Sequence, residues 1–140
     1  QQRYLRIWVS GKTGPRHLIA KNGCIEVFER ILARRPHLGF IKLSEIIQAK
    51  NTQYVFAFST GIRPHAFNHI FRRLLRDAGL EKNAQGQVRT LYSLRHSYAT
   101  AELLVGTDIH TLARQMGTSV IMLERFYSKL TATMAASRLA

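Results

Sequence analysis

The sequence predicts an α+β fold that is mainly α-helical, with a small β-hairpin near its start. Apolar residues recur at helical spacing over most of the chain, strand-like patterns are few and short, and glycine or capping residues separate the segments. A length of 140 residues suits a single domain, which we expect to span 1–140.

The first half of the chain contains the hairpin and two predicted helices. YLRIWVS and RHLIA flank the turn residues GKTG, and together they predict a β-hairpin. CIEVFERILARR has helical spacing and stops before Pro36, and IKLSEIIQAK predicts a second, shorter helix. YVFAF (54–58) predicts a brief strand, and STGIRP (59–64) predicts a turn.

The second half is predicted to be helical, with one polar loop, EKNAQGQVR. AFNHIFRRLLRDAGL predicts an amphipathic helix that ends near Gly79. Its expected inward-facing residues are Phe67, Ile70, Phe71, Leu74 and Leu75. Three further helices are expected, with N-caps at Thr90, Asp108 and Ser119. We expect the first to end at Gly106 and the second at Gly117, and the alanine-rich segment 131–140 to be helical.

The segment RTLYSLRHSYAT carries an arginine beside a predicted core face. At about 100° per residue, Arg95 falls roughly 40° from Leu91, at the border of that face. The apolar residues that share the face are Leu91, Leu94, Tyr98, Ala101 and Val105. Because a guanidinium that loses water there needs an anion, Arg95 is expected to meet either a carboxylate of the chain or a bound anion.

The charge of the chain indicates a polyanionic partner. Twenty-one Lys and Arg residues outnumber eight Asp and Glu, and the net charge of +13 is spread along the whole sequence. No segment approaches the ~18 apolar residues of a spanning helix, and none is basic on one face and strongly apolar on the other. We therefore expect nucleic acid and no membrane as partner. The sequence has no signal-peptide pattern, which favours a cytoplasmic protein.

Nucleotide and metal chemistry are disfavoured. SGKT (10–13) is half of a phosphate-binding loop, but the glycine that the motif requires is replaced by Arg6. The carboxylates are scattered, and His65 and His69 lack a third ligand. We expect no cofactor and no metal. A basic chain poor in acids suits the stabilisation of a phosphodiester under substitution, which requires a nucleophile. Ser, Cys and Tyr side chains are the candidates, and a tyrosine lies close to the end of the chain in LERFYSKL.

One long motif carries a family resemblance. YSLRHSYATAELLVGTDIHTLARQMGTSVIMLERFYSKL (92–130) resembles the C-terminal part of the catalytic domain of tyrosine recombinases, the phage integrase family. The shared pattern is an L-R-H-[ST] helix, a G-x-D-I-x-x-L-x-x-x-[LM]-G turn, and a tyrosine about thirty residues after the arginine. The GKTGPR hairpin and the FRRLLRDAGL helix follow the same order, so the resemblance covers essentially the whole chain.

The resemblance implies site-specific DNA recombination or integration without a cofactor. Tyr127 would attack a DNA phosphate, form a 3′-phosphotyrosyl bond and release a 5′-hydroxyl. Arg95 would bind the nonbridging oxygens in a bidentate way, and Lys12 at the hairpin tip would protonate the leaving 5′-oxygen. Further candidates for contact with DNA are Arg16, Arg63, His96 and Arg125.

The chain departs from the family pattern at three points. Tyr92 stands where a histidine or lysine is usual, and Thr118 where a histidine or tryptophan is usual. Both can hydrogen-bond a phosphate oxygen, but neither is a good base or a cation near neutral pH. For His96, two roles remain open: sharing the role of base, or a structural role within its helix.

The third departure is the family's first catalytic arginine, which is expected before Gln1. Arg63 in TGIRP follows the hairpin and does not match that position. We therefore expect further N-terminal sequence, including a DNA-binding domain, and little activity from 1–140 alone. The resemblance also implies a bacterial or phage protein that assembles as a dimer or tetramer on double-stranded DNA.

Two other classes of nucleic-acid-binding protein compete with this interpretation. IHTLARQMGTSVIMLERFYS is similar to a helix-turn-helix regulator, but the apolar run 120–123 does not suit a recognition helix. A noncatalytic relative of the recombinases would retain DNA binding, and Tyr92 and Thr118 favour it. An RNA-binding protein would explain the charge alone.

Overall fold

The computed structural model describes residues 4–139, and within them every side chain except those of 129–135 and 137–139. The contacts between residues divide the chain into two compact units. The first unit contains the chain up to Ile7 together with Ile19–Ala66, and the second contains Trp8–Leu18 and the chain from Phe67 onward. The described elements are mostly helices with one two-stranded sheet, which confirms the predicted α+β class.

The predicted β-hairpin is confirmed. Its strands are β1 (Arg6–Gly11) and β2 (Gly14–Ile19), joined by a two-residue turn. Exposed and partly buried residues alternate along both strands. Since side chains on a strand point alternately to its two faces, Arg16 shares the covered face of β2 with Leu18.

Both helices predicted for the first unit are present. α1 (Cys24–Ala33) buries Leu32, a 3₁₀ turn follows at Pro36–Leu38, and α2 is Leu43–Gln48. The Glu45 carboxylate accepts hydrogen bonds from the backbone N–H groups of Ile41 and Lys42 at 3.0 and 3.1 Å. The bond from Lys42 is the main cause of a lowered pKa at Glu45.

The strand predicted for 54–58 is wrong. This segment forms no strand, and its large side chains are exposed. A strand needs a neighbour to satisfy its backbone, and these backbone groups find other partners. The Phe58 N–H donates to the Ile62 carbonyl at 2.9 Å, which closes the predicted turn, and the buried guanidinium of Arg35 donates to the Tyr54 carbonyl.

The second unit contains four helices, as predicted. They are α3 (Asn68–Asp77), α4 (Leu91–Leu104), α5 (Ile109–Met116) and α6 (Val120–Leu139). The helix predicted in 131–140 is therefore the end of α6, and Ala140 lies outside the described residues. In the predicted loop 81–89, one isolated antiparallel bridge joins Lys82 and Val88.

Capping residues define the ends of these helices as expected. The Asp108 carboxylate accepts the Thr111 N–H at 2.8 Å, which lowers the pKa of Asp108. Ser119 Oγ accepts the Met122 N–H at 3.2 Å at the start of α6. Thr90 is the N-cap of α4. Gly79, Gly106 and Gly117 have positive φ just after α3, α4 and α5.

Helices α4, α5 and α6 share one core. Leu112 of α5 is fully buried at its centre. The other buried members are Ala99, Leu103, Ala113, Met116 and Leu123, with Tyr98, Ile109, Val120 and Tyr127 packed against them. This core holds the three helices that carry the recombinase-like motif.

The predicted inward faces of α4 and α3 are partly wrong. On α4, Leu94 and Val105 are 53% and 75% exposed, and Leu91 and Ala101 are exposed as well. The buried stripe contains Ala99 and Leu103, because the small side chain of Ala99 lets a neighbouring helix approach closely. On α3, Leu75 is buried and Phe71 is partly buried. The remaining predicted residues, Phe67, Ile70 and Leu74, are exposed.

None of the helices in the described part of the chain has the length and apolar character of a bilayer-spanning segment.

Candidate active site

A pocket in the second unit brings five of the predicted site residues together. Its wall is formed by α4, by the turn between α5 and α6, and by α6. The lining residues are Tyr92, Arg95, His96, Met116, Thr118, Met122, Leu123, Phe126 and Tyr127. Tyr92, His96, Met122 and Phe126 are exposed, so the pocket opens to solvent. The partly buried groups of Arg95, Thr118 and Tyr127 face this same space.

Arg95 is held by a backbone carbonyl of α5. It precedes Ala99 by one helical turn and therefore lies over the covered stripe of α4. Its Nη1 donates to the Met116 carbonyl at 2.9 Å. The last carbonyls of a helix lack partners within the helix, so Met116 O is available as an acceptor. A guanidinium has five N–H donors in a planar fork, so this one bond leaves further donors on Arg95, which lines the pocket.

A second guanidinium reaches the same carbonyl from the hairpin. Arg16 Nη2 donates to the Met116 carbonyl at 3.3 Å, and Arg16 Nη1 donates to Thr13 Oγ1 at 3.3 Å. Among the described residues, no carboxylate forms an ion pair with Arg16 or Arg95. Two cations that share one neutral acceptor leave an uncompensated positive charge, which favours a bound anion here.

Tyr127 is positioned by the core and by a hydrogen bond across two helices. Its ring packs against the shared core of α4, α5 and α6. Its hydroxyl lies 2.7 Å from Nδ1 of His96 on α4. Burial raises the pKa of the Tyr127 phenol, the positive charge of Arg95 lowers it in part, and Tyr92 raises it further. The phenol is therefore protonated at neutral pH, and Arg95 is close enough to favour its anion.

Aromatic contacts orient the imidazole of His96. The Tyr92 ring meets it edge to face, with centroids 5.3 Å apart, and the Phe126 ring does so at 6.0 Å. Tyr92 precedes His96 by one turn of α4, so the two side chains are neighbours on the helix surface. Tyr92 thus contacts His96 as well as lining the pocket.

The other predicted site residues lie outside the pocket lining. Lys12 is exposed in the hairpin turn, and Arg125 is exposed on α6. Arg63 belongs to the first unit, where its guanidinium lies 5.5 Å from the centre of the Tyr54 ring. Arg16 is partly buried and contacts the carbonyl that anchors Arg95. The predicted contacts of Arg16, Arg63 and Arg125 with DNA stay predictions.

Sequence reasoning missed the Met116 carbonyl and the apolar wall formed by Met122 and Phe126. The signal for the carbonyl was the predicted end of α5 at Gly117, because a helix C-terminus leaves backbone acceptors open. No local signal identified Met122 and Phe126, since they line the pocket only once α6 packs on α4.

The site therefore combines a phenol in hydrogen-bond contact with an imidazole, and two guanidiniums that form no ion pair with any carboxylate of the described residues. Such an arrangement can bind an oxyanion and direct a phenolic oxygen at it. In the described ranges, no three His, Cys, Asp or Glu side chains form a group that could hold a metal ion. Comparisons with protein-family models, curated proteins and solved structures find no match to this chain.

Proposed function

We propose that this chain belongs to a site-specific recombinase that cleaves and rejoins double-stranded DNA through a covalent bond to Tyr127. One observation carries the proposal: the Tyr127 phenol and the Arg95 guanidinium line one solvent-open pocket, although they are distant in sequence. Both residues belong to the motif that resembles the tyrosine recombinases.

The reaction is a substitution at phosphorus. The Tyr127 oxygen forms a bond to the phosphorus, and the bond from phosphorus to the 5′-oxygen breaks. The product is a 3′-phosphotyrosyl link and a 5′-hydroxyl, and the energy of the phosphodiester is retained for rejoining. Arg95 offsets charge on the nonbridging oxygens, and Arg16 adds positive charge beside it.

Lys12 is our candidate for the proton donor to the leaving 5′-oxygen. It lies in the turn of the hairpin, four residues from Arg16, and Arg16 contacts the carbonyl that holds Arg95. The tip of the hairpin therefore extends from a strand that is attached to the edge of the pocket. An exposed lysine on such a turn can approach a DNA backbone that occupies the site.

The net charge of +13 supports DNA as the substrate. Binding through many phosphate contacts weakens steeply as salt rises, because counterions are released from the DNA. We expect the chain to bind duplex DNA of any sequence in this way. Assembly of two or four protomers on a specific site, in a bacterial or phage setting, is part of the same proposal.

The test is the covalent intermediate. Full-length protein is incubated with a nicked suicide duplex, and a denaturation-resistant protein–DNA adduct is measured over time. Tyr127→Phe should form no adduct, and Arg95→Ala should form it at least about a hundredfold more slowly. Tyr54→Phe, which removes a hydroxyl from an exposed tyrosine of the first unit, should react like the wild type.

An adduct formed by the Tyr127→Phe protein would refute Tyr127 as the nucleophile. The alternative function is noncatalytic DNA binding, either by a helix-turn-helix regulator or by an inactive recombinase relative. The hydroxyl side chains of Tyr92 and Thr118, in place of imidazole or ammonium groups, favour it. Salt-dependent DNA binding without any adduct from the wild-type protein would support this alternative.

A further inference from the structure

We propose that His96 is a catalytic residue that accepts the proton of Tyr127 during strand cleavage and returns it during rejoining. This inference rests on the proposed function. It assigns to His96 a role that Tyr92 and Thr118 cannot fill, since phenol and hydroxyl side chains are poor proton acceptors near neutral pH.

The geometry of the contact carries the inference. The Tyr127 hydroxyl and His96 Nδ1 are 2.7 Å apart, within the range over which a general base takes a proton. The two residues lie on different helices, α4 and α6, which pack against each other. Edge-to-face contacts with Tyr92 and Phe126 limit rotation of the imidazole, so Nδ1 stays directed at the phenol.

The composition of the pocket leaves few other proton acceptors. Its lining contains no carboxylate, no lysine and no cysteine, and His96 is the single histidine among the lining residues. Burial makes the Tyr127 phenol harder to ionise than an ordinary tyrosine, and Arg95 offsets only part of that effect. Tyr127 therefore needs a partner that removes its proton as the new bond to phosphorus forms.

The proton and electron balance of the step is complete. The hydroxyl proton of Tyr127 moves to Nδ1 of a neutral His96 that carries its own proton on Nε2. The phenolic oxygen bonds to phosphorus, and the electron pair of the broken bond stays on the 5′-oxygen, which takes a proton from Lys12 or water. In rejoining, the imidazolium of His96 donates to the departing phenolate, as microscopic reversibility requires.

His96→Asn is the variant that separates proton transfer from positioning. An asparagine amide occupies nearly the same place as Nδ1 and can hydrogen-bond the phenol, but it cannot accept a proton near neutral pH. At saturating DNA, where a change in DNA affinity no longer affects the rate, we expect the full-length variant to form the adduct about 10²- to 10⁴-fold more slowly. Cleavage by His96→Asn at the wild-type rate would overturn the proposal.

Two chemical readouts exclude a purely structural role. Added imidazole should accelerate His96→Ala in proportion to its concentration, because His96 is exposed and its space is open to solvent. A DNA with sulfur in place of the 5′-bridging oxygen has a leaving group that needs no proton. This substrate should restore the cleavage rate of Lys12→Ala but not that of His96→Asn. Rescue of His96→Asn by the sulfur substrate, or no response of His96→Ala to imidazole, would contradict the proposal.

The outcomes also distinguish this inference from the proposed function. A Tyr127-dependent adduct whose rate is independent of His96 would refute the inference alone. Absence of the adduct in the wild type would overturn both. Without DNA, the ¹⁵N NMR shift of His96 Nδ1 in histidine-labelled protein should change in Tyr127→Phe, because the phenol is its hydrogen-bond partner. An Nδ1 shift that does not respond to Tyr127→Phe would refute the contact on which the inference rests, irrespective of activity.

Discussion

Replacement of Gly117 by alanine should reveal how firmly the hairpin is attached to the end of α5, beside the candidate active site. Gly117 follows α5 with φ +64°, and a Cβ added there would overlap the guanidinium of Arg16. Gly79 follows α3 with nearly the same φ, +66°, but a Cβ there meets nothing within 4 Å. The two glycines form a matched pair, because they share the backbone cost and differ in the contact with Arg16.

The magnitudes follow from these two effects. A left-handed backbone costs a residue with a Cβ about 1 kcal/mol, so Gly79→Ala should lower the free energy of unfolding by that amount. Gly117→Ala should cost about 2 kcal/mol, because the displaced Arg16 also loses its hydrogen bond to Met116 O, worth about 1 kcal/mol.

Urea denaturation of both variants measures the difference. In an Arg16→Ala background the contact is already absent, so Gly117→Ala and Gly79→Ala should then cost the same. If Gly117→Ala and Gly79→Ala lower the free energy of unfolding equally in the wild-type background, Arg16 is not attached at the end of α5. If the difference between the two substitutions persists in the Arg16→Ala background, it arises from another contact of Gly117.

Three further predictions concern the core, the phenol and a helix cap. Leu112→Ala should lower the free energy of unfolding by about 3 kcal/mol because Leu112 is fully buried. Leu104→Ala, at a leucine that is 59% exposed, should cost less than about 1 kcal/mol in the same urea assay, and similar losses would contradict the assigned core. Ultraviolet titration of the wild type minus Tyr127→Phe should give a pKa for Tyr127 above the ordinary value, and Arg95→Ala should raise it further. An unchanged pKa of Tyr127 in Arg95→Ala would contradict the proximity of the phenol and the guanidinium. Because the folded pKa of Asp108 is lowered, its carboxylate stabilises the fold above the unfolded pKa, and this contribution is lost as pH falls through the folded pKa. Asp108→Asn should therefore lose less stability on acidification than the wild type. Thermal melts at a series of pH values measure this, and melting temperatures that fall equally in both proteins would refute it.

Local signals predicted most of the elements correctly. The GKTG turn located the hairpin, and Asp108 and Gly117 located both ends of α5. These signals work because a cap or a tight turn depends on the chemistry of a few adjacent residues. The same locality explains the error at 54–58, where a run with high strand propensity has no neighbouring strand to pair with.

Residues far apart in sequence decided the rest of the site. The apolar residues of α4 outline a face containing Leu94 and Val105, yet both are exposed and Ala99 is buried. The periodicity of apolar residues identifies large side chains, whereas small side chains also pack at helix contacts because they permit close approach. The sequence motif singled out Tyr127 and Arg95, but the bond from Tyr127 to His96 depends on how α6 packs on α4.

The sequence by itself determined the helices, the hairpin, their caps and the basic character of the chain, because each of these depends on neighbouring residues or on composition. It also marked Arg95 and Tyr127 as a pair with a defined spacing. Only the tertiary structure decided that Arg16 and Arg95 share the Met116 carbonyl and that His96 faces the phenol. These contacts join different elements of the second unit, and no local pattern specifies which side chains meet when separate helices and a hairpin pack together.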